Sequence, residues 1–441
     1  MTFSALDRER LVPQPLPEIS IYIHIPFCRT RCHYCGFYLE TGFSPRVLNE
    51  TLEGIIAEAH EWAGRLRYPQ IRTVYIGGGT PSVIPAPRLR EFLFKLRAAF
   101  HMDETGEPGE WTVEVNPESV TRELLTALEE GGVDRISLGI QSLRDNELAV
   151  LGRRSDSVCA RDALELIGEQ WQHRLSTDVI VGVPGQYPES LEAQIEELLA
   201  FGGRHVSCYG LTVEPGTALA QSVSRGALRM PDRDLHEALW QAASRALKAA
   251  GLQPYEVSNY ASPGQESVHN RAYWRLDPYL GLGPGAVSTI PVTGGMPAQS
   301  NDASGRTPRV VRLTGGSIFT YQSIRRGDLA HELEMLSSRD FHFEHFMNGL
   351  RTTEGVSMER IRERFSWNAT PIDTQALTSY LQGEWPGYRL RDRRCNPRKR
   401  LVLGTYARET LDTLLPSLLQ TIEQWVTPEA LNTHWPEHTT R

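Results

Sequence analysis

No apolar run in the 441-residue chain approaches the ~18 residues that would cross a bilayer. Residues 1–17 are charged and proline-rich, which is not the pattern of a secretory signal. Only six cysteines are present, three of them clustered and the others scattered at Cys159, Cys208 and Cys395, so there is no disulfide framework. No C-x2-C or H-x3-H pair elsewhere completes a structural zinc site. Positive charge is not in excess: 46 Lys and Arg against 54 Asp and Glu give a net charge of −8, which argues against a general nucleic-acid binder. Internal repeats and low-complexity tracts are also missing. Length and ordinary composition leave a chain of about two or three domains with ample core. Free thiols point to a reducing cytoplasm.

What is present begins with Cys28, Cys32 and Cys35, a C-x3-C-x2-C group directly after an alternating apolar run at residues 20–25. Thiolates this close in one loop can converge on a soft-metal site. An iron–sulfur cluster takes four cysteines, one per iron, so three leave one iron open to a small molecule. With the aromatic Tyr34 before the third cysteine, the spacing resembles the radical S-adenosylmethionine (SAM) superfamily. That resemblance implies a [4Fe–4S] cluster on Cys28, Cys32 and Cys35 whose free iron is chelated by the methionine part of SAM.

The rest of the chain alternates strand and helix. Strands are expected at residues 20–25, 73–76, 111–115, 135–138, 174–183 and 205–213. Helices are expected from a start capped by Ser44 and Pro45, and at 86–100, 118–130, 189–201 and 232–250. Residues 255–257 are expected to add an edge strand. Successive βα units imply a mostly parallel sheet with right-handed crossovers, and six rather than eight imply an open (β/α)6 partial barrel. Chemistry in such folds sits at the C-terminal ends of the strands. The cysteines, Gly77 to Pro81, Glu114, Gln141, Asp178 and Glu214 all fall there.

Four domains or segments follow from this pattern: an N-terminal extension (1–19), the barrel (20–266), a looser motif-bearing segment with an irregular connection rich in Gly, Pro, Ser and Asn at 289–308 (267–327 in all), and a small helical, winged-helix-like C-terminal domain (328–441). Within the last, residues 329–336 and 341–350 are expected to be helical.

Several residues carry chemistry. Gly77, Gly78, Gly79 and Thr80 let backbone approach a ligand and expose N–H groups. Glu114, flanked by Val113 and Val115, either pairs with a cation or accepts hydrogen bonds from a ligand. Arg153 can grip a carboxylate in bidentate fashion, and Asp178 can accept hydroxyls. By resemblance to the superfamily, the positions of Tyr22, Gly78, Gly79, Thr80, Glu114, Gln141, Arg153 and Asp178 contact SAM, and Tyr34 packs beside it. His24 is expected to orient the cysteine loop.

Longer motifs narrow the resemblance. Tyr255-Glu256-Val257-Ser258-Asn259-Tyr260, His269-Asn270-Arg271-Ala272-Tyr273-Trp274, Gly281-Leu282-Gly283-Pro284-Gly285-Ala286 and Phe346-Met347-Asn348-Gly349-Leu350-Arg351 resemble the coproporphyrinogen-dehydrogenase-like group, and within it the HemW-type heme chaperones. This likeness implies a protein that binds heme and passes it to an acceptor protein, one that could lie at a membrane. It also implies that His269, an imidazole of the type that most often holds heme iron, is the heme ligand, with Tyr273 and Trp274 to stack on the porphyrin. The oxygen-independent dehydrogenases carry a fourth cysteine two residues after the third; here that position is Phe37. Gly36 departs from the aspartate usual in the chaperones, and Cys35-Gly36-Phe37-Tyr38 resembles heme-opening radical SAM methyltransferases, the alternative function. The basic run from Arg389 to Arg400 reads as a solvated hairpin, or as an attractor of heme propionates or an acidic surface.

Overall fold

Ile19, Ile21, Ile23 and Ile25 alternate with Ser20, Tyr22 and His24, so a strand here presents isoleucines on one face and polar groups on the other. The computed structural model, which describes residues 13, 16–292, 310–323, 331–336, 338–357, 360 and 400–401, repeats this division in the barrel strands, apart from an outward Thr177 and an inward Ile180 in the fifth. Strands β1 (Glu18–Ile25), β2 (Gln70–Gly78), β3 (Glu110–Val115), β4 (Arg135–Gln141), β5 (Arg174–Val181) and β6 (His205–Gly210) lie side by side in that order, all parallel. Their outward residues, among them Ile23, Val74, Val113, Ile136 and Val206, are buried in one core under the crossover helices. Each such side chain contributes about 1.5–3 kcal/mol by leaving water.

The crossover helices include Pro45–Arg65, Ala86–Ala99, Arg122–Glu130, Ser157–Gln170 and Pro188–Ala200. The first is capped as expected, with Val47 N donating to Ser44 Oγ at 3.3 Å. Arg122–Glu130 starts later than expected, because Pro117–Ser119 forms a separate 3-10 turn and Thr121 caps the helix through Leu124 N.

The inward residues are polar in register. Ser20 stands beside Thr73, Thr73 beside Glu110, Thr112 beside Arg135, Glu114 beside Ser137, and Asp178 beside Ser207. A closed barrel fills its interior with branched apolar residues; this one leaves a polar lumen.

Both edges extend further than the sequence suggests. Beyond β6 come two short antiparallel strands, β7 (Gln253–Pro254) and β8 (Asn259–Ala261). The expected strand at 255–257 is instead part of the link between them. On the far side, β9 (Tyr279–Leu282) joins β1 in parallel, followed by antiparallel β10 (Val287–Pro291), β11 (Val310–Gly315) and β12 (His331–Leu336). Many of the described residues of segment 267–327 are sheet and short helix, while residues 293–309, most of the expected irregular connection, lie outside the described residues. Residues 331–336 are strand, not helix: Leu333 is buried between exposed Glu332 and Glu334, a period of two, and Arg312 pairs with Glu334 across the strands. Helix Ser338–Leu350 forms as expected. Most of the C-terminal domain, the basic run up to Lys399, Cys395 and residues 1–12 lie outside the described residues.

Candidate functional site

The cysteine loop leaves β1 at its C-terminal end and is tied down at many points. Cys28 N donates to Glu40 O at 3.0 Å, and Glu40 N donates back to Pro26 O. Arg31, inside the C-x3-C interval, donates to the carbonyls of Cys35, Phe37 and Leu39 at 3.3, 3.3 and 3.0 Å. His33 N reaches Leu151 O at 2.9 Å and its Nδ1 pairs with Val150 O at 3.0 Å. His24 performs the expected orienting role: its Nε2 bonds Tyr38 O at 3.0 Å while Nδ1 bonds the Tyr22 hydroxyl at 2.9 Å.

Cys28 is buried, 3.3 Å from Thr80 Oγ1, and burial pushes its thiol up to about 11. Arg153 Nη1 lies 3.6 Å from Cys32 Sγ. Among the described residues, no three Cys, His, Asp or Glu side chains converge as the ligands of a single ion would. Three thiols on one loop, beside the lumen, suit a cluster with one cysteine per iron.

Next to the thiols the lumen opens into a cavity of about 630 Å3. The glycine triplet forms one wall. A Cβ at Gly77 would lie 2.7 Å from the Glu114 carboxylate, one at Gly78 would strike the His24 ring at 2.5 Å, and one at Gly79 would meet Phe27 O at 2.7 Å. Gly78 also has φ +109, a conformation that favours glycine. Glu114 accepts from the Tyr75 hydroxyl at 2.8 Å and Gly78 N at 3.1 Å. Burial pushes its carboxyl up to about 7 despite these bonds, with Asp178 adding to the rise. Burial likewise pushes Asp178 up to about 6, against hydrogen bonds from Ser207 and Ser137. Gln141, at the end of β4, holds φ +66, which is uncommon away from glycine. Arg153 is anchored by Asn116 Oδ1 at 3.0 Å and Gly139 O at 2.8 Å, and its buried Nε has no partner.

The opposite, N-terminal end of the barrel is plugged. Helix Val268–Trp274 lies across it, capped by Ser267. Glu110 accepts from Ser267 Oγ, Val268 N and His269 N at 2.8, 3.1 and 3.0 Å, and pairs with Arg135 at 3.0 Å. His269 Nδ1 shares a 2.8 Å hydrogen bond with Thr73 Oγ1, and its ring centroid is 5.1 Å from that of Tyr75. Burial pushes the imidazole down to about 4. Tyr273 is 49% exposed on the outer side. Arg271 and Arg275 reach Glu354, so the Phe346–Arg351 motif is tied to the same end.

The structure thus brings Cys28, Cys32, Cys35, Tyr34, Gly78, Gly79, Thr80, Glu114, Gln141, Arg153 and Asp178 to one cavity. Tyr22 and His269 do not line it. Tyr22 turns toward His24 and Tyr75, and His269 sits in the short helix Val268–Trp274 at the other end of the barrel. Sequence reasoning missed Tyr75, Asn116 and Glu110. Tyr75 was detectable, since alternation from Tyr75 to Gly77 points it inward.

An open parallel half-barrel with a three-cysteine loop after its first strand and a glycine triplet after its second defines a radical SAM protein. The model of the radical SAM superfamily matches residues 22–198, and that of the HemN C-terminal domain matches residues 336–385. The heme chaperone HemW of Mycobacterium tuberculosis is 39% identical over 289 residues, 64% of this chain and 72% of that protein. The HemW of Bacillus subtilis is 30% identical over 346 residues, covering 78% and 86%. The mitochondrial radical S-adenosyl methionine domain-containing protein 1 of Bos taurus is 35% identical over 349 residues, covering 77% and 74%. Coproporphyrinogen III oxidase (HemN) of Escherichia coli shares the fold at TM-score 0.70 and 17% identity, over 96% of this chain and 93% of that one. The chain belongs to the HemW family of radical SAM proteins. Membership of the superfamily implies a [4Fe–4S] cluster and SAM, and the thiol set, glycine wall and paired carboxylates described above fit them.

Proposed function

We propose that this chain is a cytoplasmic heme chaperone, which binds heme, carries a [4Fe–4S] cluster and SAM, and delivers heme to an acceptor protein. The observation that carries this reading is its sequence likeness to proteins named heme chaperone HemW over most of their length. Phe37, 69% exposed where coproporphyrinogen dehydrogenases have a fourth cysteine, supports it over porphyrinogen decarboxylation. Among the described residues no helix is long and apolar enough to cross a membrane.

In this reading Cys28, Cys32 and Cys35 would hold the cluster and leave one iron open, to be chelated by the methionine part of SAM. The protein's own residues do the rest. Gly78, Gly79 and Thr80 line the approach, Glu114 and Asp178 offer carboxylates to a cationic ligand, and Arg153 offers its free Nε–H to a carboxylate. His269 takes the heme iron. Its imidazole is neutral at pH 7, the form that ligates metals, but it is buried under Thr73 and Tyr75. Heme access would require helix Val268–Trp274 to lift from Glu110, exposing the ring beside Tyr273.

Anaerobic incubation of the cluster-loaded protein with heme, SAM and a low-potential reductant tests the function, with the Soret band followed and products analysed by mass spectrometry. A persistent Soret band with intact heme is expected. Loss of the band with a methylated or linear tetrapyrrole would make the chain a heme-opening enzyme, the alternative that Gly36-Phe37-Tyr38 favours. A Cβ at Gly36 would lie 3.3 Å from Cγ of the exposed Glu214, so an aspartate fits there only after a small shift of that side chain.

A further inference from the structure

The two ends of the barrel meet in one side chain. Tyr75 projects from the middle of β2 into the lumen. Its hydroxyl donates to Glu114 Oε1 at 2.8 Å on the cavity side, and its ring lies against that of His269, tilted by 31°, on the plugged side. His269 is in turn fixed by Thr73, two residues earlier on the same strand, and by Glu110 through its backbone N–H. Tyr22 also stacks on Tyr75, with centroids 6.2 Å apart. The phenol is thus braced by two rings while its hydroxyl is aimed at the Glu114 carboxylate.

We propose that Tyr75 is a positioning residue that couples the seating of the His269 helix to the SAM cavity, by holding the Glu114 carboxylate only while His269 supports its ring. This rests on the reading that the cavity takes SAM and that His269 takes heme. Under that reading, lifting the helix to expose His269 withdraws the support, and Glu114 loses its strongest neutral donor. SAM, which is cationic at its ammonium and sulfonium, then binds less well. Linkage requires the converse: bound SAM keeps the helix down and weakens heme binding by the same factor.

The groups facing Glu114 are Tyr75 and Gly78, which donate to it, and Asp178, Tyr22 and Tyr209, which do not. Removing the Tyr75 hydroxyl therefore leaves the carboxylate with one donor and an acidic neighbour. A hydrogen bond to an ionised group corresponds to roughly a ten- to hundred-fold change in an equilibrium constant.

A double-mutant cycle on the cluster-loaded protein tests the coupling without heme. SAM affinity is measured by anaerobic calorimetry, and the ionisation of Glu114 by infrared absorbance of its carboxylate. Tyr75→Phe, which keeps the ring, is expected to weaken SAM binding roughly ten-fold and raise the Glu114 titration. His269→Ala is expected to move both readouts the same way when Tyr75 is present, and to move neither further when it is combined with Tyr75→Phe in the double variant. Thr73→Val, which frees the His269 ring without deleting it, repeats the test should His269→Ala fold poorly. Additive effects in both readouts, or an unchanged Glu114 titration in Tyr75→Phe, overturn the proposal. If SAM does not bind the unmodified protein, the infrared cycle still decides it. If heme does not bind while the cycle is non-additive, the coupling stands and the heme-chaperone reading falls.

Discussion

Glu110 and Arg135 form an ion pair at 3.0 Å with neither side chain open to solvent, directly beneath the ligand cavity. Burial alone would raise the Glu110 carboxyl. Arg135, with the donors from His269 N, Ser267 and Val268, holds it below the usual carboxylate range instead. Arg135 also donates to Ser176 Oγ at 3.1 Å and Gln265 O at 3.0 Å, so one pair ties β3, β4 and β5 to the plugging segment. Losing one partner of such a pair leaves a buried charge alone. Glu110→Gln is expected to cost about 3–5 kcal/mol in urea unfolding and to speed amide exchange over residues 268–274. Wild-type exchange rates in that helix would show that Glu110 does not seat it.

Cys32 stands between Arg153 and the turn that Cys35 N closes onto its carbonyl. Cys32→Ala removes one thiolate of three. The reconstituted variant is expected to lose the brown cluster absorption and its iron and sulfide, while keeping its far-ultraviolet circular dichroism. Unaltered iron and sulfide content would reject the triad.

Burial pushes the Glu114 carboxyl up to about 7, well above an exposed carboxylate. Between the unfolded value and about 7 the folded protein holds the extra proton, so this group's contribution to stability falls as pH rises through that window. Binding of cationic SAM runs the other way, strengthening as pH rises from about 6 to about 8 as the carboxylate ionises. Titration calorimetry across this range checks it, and Glu114→Gln is expected to flatten the profile. The same slope in the variant would assign the effect elsewhere.

His269 and His205 are both buried neutral, with burial pushing them down to about 4 and about 3. The stability each contributes is present above the ordinary histidine range and is lost as pH falls toward the folded value. NMR of labelled imidazoles is expected to show no titration of His269 near the ordinary histidine value of about 6.5. A normal titration would mean that the helix lifts readily on its own.

Gln141 holds a left-handed backbone at φ +66. Such a conformation costs a non-glycine residue about 1–2 kcal/mol, a strain that functional sites often retain. Gln141→Gly is expected to raise stability by about 1 kcal/mol while weakening SAM binding. Stronger SAM binding in the variant would return Gln141 to a structural role.

Strand and helix order, the outward core, the cysteine loop and the cavity's principal side chains were legible because each depends on local patterning. A period of two marks strands, Ser44-Pro45 starts a helix, and residues at strand ends share one mouth of a parallel barrel. The errors arose where period or pairing was ambiguous. His331 to Leu336 carries both charged and apolar residues, and its partner β11 decided for strand. Residues 279–282 became sheet because β1 offered a free edge. No local signal marks Arg31 as the clamp on three carbonyls of the cysteine loop.

The sequence by itself determined the parallel half-barrel, the thiol triad and the family motifs, since spacing and side-chain chemistry are properties of the chain. Only the tertiary structure decided where those motifs stand relative to one another. It puts the cysteines, glycines and carboxylates at one mouth of the barrel and His269 at the other, with Tyr75 between them. The reason is geometric: a lumen is assembled from residues far apart in sequence, so which groups share it depends on register and on what closes each end.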